Sequence, residues 1–237
     1  MSEANSNSVA KAISISALIT LIGIALSGPI GVAIVRATAP QPDWEGIEVF
    51  VEYYAPVQAL PFAFGFFLVF GFVGLVVSLA QIDIEKNRLL STLAIVFASI
   101  FASLICLNYI IQIVYIPNAV EKKSVIIESL TMDNPGSLGW ALEMIGYGVL
   151  GLSTLAIAPV LSGSEQPRLS IVIKWLLIVN GVASVGGAIA TPFVLSRILS
   201  SPSVAGYYFW NGLVALLMVL IIVRYRFGKL ETNEGGS

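Results

Sequence analysis

Glu143 is the one carboxylate of this chain that falls well inside an apolar run long enough to cross a membrane. A polar group at such depth is costly in hydrocarbon, so it implies a partner or a task. Helical spacing puts Trp140, Tyr147, Gly151 and Thr154 on its face. That face is small and polar, so it points into a bundle and away from lipid. Glu143 lies about 7–8 Å from the N-terminal end of its run at the helical rise per residue. Asn108 and Gln112 stand four apart on the preceding run, about 12 and 6 Å from its C-terminal end. Asn211 lies about 8 Å into the last run. Gln58 opens the second run, and Asn180 sits deeper in the fifth. In an up-and-down bundle these ends meet on one side. Gln58, Asn108, Gln112, Glu143, Tyr147 and Asn211 then share one half of the membrane, with Trp140 beside them and Asn180 as a floor. This set is the candidate ligand-binding site. A carboxyl there orients a polar group of a small amphipathic or apolar molecule, or exchanges a proton. The bland reading is that these side chains satisfy one another, as Asn and Gln do between packed helices. If ionised, Glu143 needs a cation, and Arg36, Arg197, Lys122 and Lys123 reach it only from span ends.

Much other chemistry is excluded. The chain has no His, which removes His-ligated metals and haem and the Ser-His and Cys-His mechanisms. A single Cys cannot form an internal disulfide, and Cys106 reads as a small apolar filler. There is no HExxH, no intramembrane Asp pair, no Asp cluster for metal-dependent lipid transfer, no P-loop and no dinucleotide fingerprint. Lys174 stands at a span end, where its amine snorkels to the surface. No metal, cofactor or catalytic residue is therefore expected. An enzyme would have to use Glu143 with Tyr147 as acid and base in an isomerase or lipid-modifying reaction.

Composition explains why the elements that carry these residues must be membrane spans. Of 237 residues, 57% are hydrophobic and 11% charged, against ~25% charged in an ordinary soluble domain. There is too little polar surface to cover a soluble fold. The net charge of −2 gives no basic excess for nucleic acid. A bilayer core of ~30 Å needs about 20 apolar residues per helix. Six runs qualify: Ala12–Val35, Val57–Ala80, Leu89–Ile116, Leu138–Leu161, Leu169–Arg197 and Ala205–Val223. The expectation is an all-α, six-span transmembrane bundle forming one domain over residues 1–237. The first run is too long for a signal-peptide core and reads as an uncleaved helix.

Lys and Arg set the orientation. With the N-terminus cytoplasmic, eight lie inside: Lys11, Lys86, Arg88, Arg168, Lys174, Arg224, Arg226 and Lys229. Four lie outside: Arg36, Lys122, Lys123 and Arg197. Both termini are therefore expected in the cytoplasm, with the chain in the plasma membrane. The outer loops, Arg36–Pro56 and Pro117–Ser137, are the long ones. Ile47, Phe50, Val51 and Tyr54 share a helical face in the first, and Val120, Ile127 and Leu130 one in the second. Both read as short interfacial helices or as ordered loop packed over the bundle end. Trp44, Tyr53, Tyr54, Tyr115, Trp140, Tyr207, Tyr208 and Trp210 form an outer aromatic belt. Small residues repeat every four at Gly23, Ser27 and Gly31 and at Ala183, Gly187 and Thr191. Such faces let helices approach closely, within the chain or between subunits of a homo- or hetero-oligomer. Pro29 and Pro192 free the carbonyls of Ala25 and Ala188.

The stretch Leu130-Thr131-Met132-Asp133-Asn134-Pro135-Gly136-Ser137-Leu138-Gly139-Trp140-Ala141-Leu142-Glu143-Met144-Ile145-Gly146-Tyr147-Gly148 resembles a pattern in small prokaryotic six-span membrane proteins of no assigned function. The later Trp175-Leu176-Leu177-Ile178-Val179-Asn180-Gly181 resembles the same group. The resemblance covers most of the chain and implies no activity, substrate or cofactor. It marks the Asn-Pro turn, Glu143, Tyr147 and Asn180 as the recognisable part. Three functions stay open: a non-enzymatic module that binds or moves a small molecule, a structural subunit of a membrane complex, and an intramembrane lipid enzyme.

Overall fold

Long apolar stretches form helices, because a chain in hydrocarbon must satisfy its own backbone. The computed structural model describes residues 3–82, 84–85, 87–163, 167–194 and 201–227. In chain order the α-helices are α1 (Glu3–Ser27), α2 (Pro29–Thr38), α3 (Ile47–Tyr53), α4 (Leu60–Ala80) and α5 (Arg88–Ile110). They are followed by α6 (Ile116–Glu121), α7 (Ile126–Leu130), α8 (Leu138–Ile157), α9 (Pro167–Val194) and α10 (Ser201–Phe227). No strand occurs among the described residues. Six helical stretches are long and apolar enough to cross a membrane: Ser6–Thr38, Pro56–Ala80, Arg88–Glu121, Leu138–Leu161, Arg168–Phe193 and Ala205–Tyr225. Their apolar faces suit contact with a lipid bilayer.

Two spans differ most from the sequence expectation. The third span does not stop at Ile116. Pro117 removes one helical bond, and the turn before it, Ile111–Tyr115, widens into a π-helical turn. The helix then continues through α6 to Glu121. The first span is longer at both ends and is broken in the middle. Gly28 lies outside the helical region at φ −98° and ψ −119°, with Pro29 starting α2. The fifth span is helical through Pro192 to Val194. Its expected last residues, up to Arg197, lie outside the described residues, as do Lys86 and Lys229 of the orientation set.

The spanning helices pack in a closed cyclic order: α1 on α4, α4 on α5, α5 on α8, α8 on α9, α9 on α10 and α10 on α1. Leu68, Phe72, Leu75, Phe101, Ile105, Leu150 and Leu217 fill the interior. At the end bearing the long connections a second apolar cluster joins Phe50, Ile116, Ala119 and Ile127, so α3, α6 and α7 pack on one another. Glycine sets the closest approach in the ring. A Cβ on Gly23 would overlap the Leu68 backbone nitrogen, so α1 and α4 touch backbone to backbone. The small face of the fifth span differs: Ala183 and Gly187 are exposed, and nothing lies within 4 Å of a Cβ on Gly187.

Gly23→Ala is therefore expected to cost about 1–3 kcal/mol through forced separation of α1 and α4. Gly187→Ala, in open space, leaves stability unchanged or raises it slightly. Thermal unfolding of the two variants in one detergent checks the contrast.

Candidate functional site

Glu143 is 9% exposed and sits on α8, where α8 faces α5. Asn108 Nδ2 donates to its Oε2 at 2.8 Å. The Tyr109 hydroxyl donates to its Oε1 at 3.3 Å. Neither donor is cationic, so the carboxyl is held by neutral groups on one neighbouring helix. The Tyr109 hydroxyl also meets the Tyr147 hydroxyl at 3.3 Å. Tyr109 thus stands between Glu143 and Tyr147, which share the α8 face without a hydrogen bond to each other.

Gln112 extends the network outward from the bundle. Its Nε2 donates to Asn108 Oδ1 at 3.2 Å and to the Leu130 carbonyl at 2.8 Å. The Met132 amide donates to its Oε1 at 3.1 Å. One side chain therefore clasps both edges of the connection between α7 and α8 and ties it to the Asn108–Glu143 pair. The π-helical turn carries Gln112, and such turns re-aim side chains at functional positions.

Local sequence explains how the connection is shaped. Asn134 Oδ1 accepts from the Gly136 amide at 3.0 Å, and its Nδ2 donates to the Glu128 carbonyl at 2.6 Å. Ser137 caps α8, accepting from the Trp140 amide at 3.0 Å. Its hydroxyl donates to the Thr131 carbonyl at 2.6 Å. Above this, Tyr54 faces Asp133; burial, with the Asp133 charge adding to it, pushes the Tyr54 phenol above its usual value.

Glycine and aromatic rings fix the hydroxyl pair. A Cβ on Gly65 would overlap the Tyr109 ring, so α4 makes room for that ring by lacking a side chain. Phe62 and Phe66 lie against Tyr109 with ring centroids 5.7 and 5.9 Å away. Tyr147 meets Phe101 at 5.7 Å and Trp210 edge-on at 4.9 Å. Trp210 is turned into the bundle, not held at the rim, and its Nε1 donates to Ser184 Oγ at 3.0 Å.

The structure brings Asn108, Gln112, Glu143 and Tyr147 together and places the other candidates elsewhere. Asn211 packs its Oδ1 against Gly28 at the break in the first span, and its Nδ2 donates to the Tyr207 carbonyl at 2.9 Å. Gln58 ties the ends of α2 and α3, donating to the Tyr53 carbonyl at 3.0 Å and the Ala39 carbonyl at 3.4 Å. Asn180 is on α9 beside Thr154. Trp140 makes no side-chain hydrogen bond, its buried Nε1 having no partner. Tyr109 is the member that sequence reasoning missed. Its signal is a Tyr in mid-span, away from either interface, whose hydroxyl needs a partner when buried. No group of three or more acidic or Cys side chains suited to a metal occurs among the described residues.

Gly139 is a second close approach within the site. A Cβ there would overlap the Leu130 carbonyl oxygen and come 3.1 Å from Gln112 Nε2 and 3.3 Å from Asn108 Oδ1. Gly139→Ala is expected to lose about 1–3 kcal/mol and to speed amide hydrogen exchange over residues 131–137. Gly136→Ala, whose Cβ would lie 3.4 Å from Asn134 Oδ1, leaves both readouts near wild type.

Compared with family models, with curated proteins and with solved structures, the chain gives no match.

Proposed function

We propose that this protein is a non-enzymatic membrane module that binds or translocates a small amphipathic or apolar molecule at Glu143. The observation that carries this reading is a buried carboxylate whose two donors are the neutral Asn108 and Tyr109. A carboxylate held this way keeps acceptor capacity for a donor on a ligand. The aromatic rings packed on Tyr109 and Tyr147, those of Phe62, Phe66 and Phe101, suit an apolar body next to that network. The clasp of Gln112 on Leu130 and Met132 makes the connection between α7 and α8 the segment that a ligand from that side displaces. The Lys and Arg distribution supports placing the site in the outer half of a plasma membrane, with both termini cytoplasmic and α3 and α7 at the outer interface.

A second reading, a structural subunit of a membrane complex, draws on one observation. Ala183, Gly186, Gly187 and Ala190 are exposed together on α9. Such a face suits close packing against another helix.

The test is retention of co-purified small molecules. Wild type, Glu143→Gln and Tyr109→Phe are purified from the same membranes, checked for folding by thermal unfolding, and analysed by native mass spectrometry. Losing one hydrogen bond to a charged group is worth about 1.5–3 kcal/mol, or roughly 10–100-fold in occupancy. The reading expects a species that wild type holds and Glu143→Gln loses by at least about 10-fold. Identical species in identical amounts in all three proteins would exclude it.

A further inference from the structure

The ring of helices encloses a void of about 10 Å³, whose lining includes neither Glu143 nor its hydrogen-bond donors. Five spanning helices line it, with Thr20 from α1, Leu68 from α4, Thr154 from α8, Asn180 from α9 and Trp210 from α10. Its walls are mostly apolar, which makes the three polar side chains the informative part. Asn180 is 1% exposed. Its Nδ2 donates to Thr154 Oγ1 at 3.4 Å, while its Oδ1 has no hydrogen-bond partner. The Thr154 hydroxyl donates to the Gly151 carbonyl at 2.9 Å, and the Thr20 hydroxyl to the Ser16 carbonyl at 2.8 Å. Both hydroxyl protons are thus directed along their own helices. What Thr20, Thr154 and Asn180 offer the void is oxygen lone pairs.

We propose that this void is a binding site for one water molecule, which donates one proton to Asn180 Oδ1 and the other to one of the Thr oxygens, bridging α9 to α1 or α8. The size fits, since one buried water needs about 10–15 Å³ of such space. An unpaired amide oxygen in hydrocarbon costs far more than ordering one water. A monovalent cation fits worse: three neutral oxygens and no carboxylate do not replace its hydration shell at this depth. If the Asn180 amide is turned over, its NH₂ group faces the void, and a water can accept from it where a cation cannot. The site does not depend on the role proposed for Glu143, because neither Glu143 nor Asn108, Tyr109 or Gln112 lines it.

An experimental density map of the full chain in lipid nanodiscs, at a resolution that shows internal waters, is the deciding measurement. It is paired with thermal unfolding of Asn180→Leu and Thr154→Val in NaCl and in choline chloride. The expected result is one density peak within hydrogen-bond distance of the Asn180 amide. Both variants then melt about 2–4 °C lower than wild type, equally in the two salts. A map that resolves other internal waters but leaves this void empty overturns the proposal. A dry void is also marked by Asn180→Leu melting higher, because the unpaired oxygen is gone. Stabilisation of wild type by NaCl over choline chloride, lost in Asn180→Leu, would assign the site to a cation and overturn the water. The map requires no variant, so it decides even if neither substitution folds.

Discussion

A carboxylate removed from water must find donors within about 3 Å, and in a bilayer only other side chains supply them. That constraint organises the α5–α8 half of this protein. Glu143 draws Asn108 and Tyr109 from α5. Tyr109 in turn needs a cleft, which Gly65 on α4 leaves open. Asn108 shares Gln112, which clasps the backbone at Leu130 and Met132. One buried carboxyl group therefore sets the approach of α4, α5 and α8 and the path of the connection above them. Each donor is a neutral side chain or backbone amide, so the network is held without a counter-charge.

The rest of the ring follows a different rule. Lipid tails offer no hydrophobic driving force between helices, so contact depends on close packing of small residues. Gly23 and Gly71 let α1 lie against α4, where a Cβ on Gly71 would come 2.6 Å from the Thr20 amide. Gly151 and Gly181 do the same for α8 and α9, the Gly181 carbonyl lying 2.8 Å from where a Gly151 Cβ would stand. Polar pairs appear where these contacts leave room: Ser153 to the Ala94 carbonyl at 2.8 Å, and Trp210 to Ser184 at 3.0 Å. Near the other end of the ring Arg224 reaches Ser170, joining α10 to α9.

Much of this was legible in the residues. Spans are a matter of length and apolarity, and the six runs reappear as six helices. Depth along a helix follows from rise per residue, so Glu143, Asn108 and Gln112 were placed at meeting heights. Rotation about the helix axis is another matter, because it depends on which neighbour packs where. Asn211 and Gln58 show the difference: one meets Gly28 and the other the Tyr53 carbonyl. Tyr109 escaped because it adjoins Asn108 in an apolar run and reads as packing. Its hydroxyl partners lie 34 and 38 residues away in the chain. Pro117 misled in the opposite sense, since a proline reads as a stop while a π-helical turn can absorb it.

The central claim is that Glu143 and Asn108 are energetically one unit, not two polar residues that happen to lie near each other. A double-mutant cycle with Asn108→Leu and Glu143→Leu, measured by reversible unfolding in mixed micelles, addresses this directly. Each single change strands the other partner, whereas the double change removes both. Coupling of the pair makes the double variant more stable than the sum of the single losses implies, by about 1.5 kcal/mol or more. Losses that add to within about 0.5 kcal/mol would contradict it.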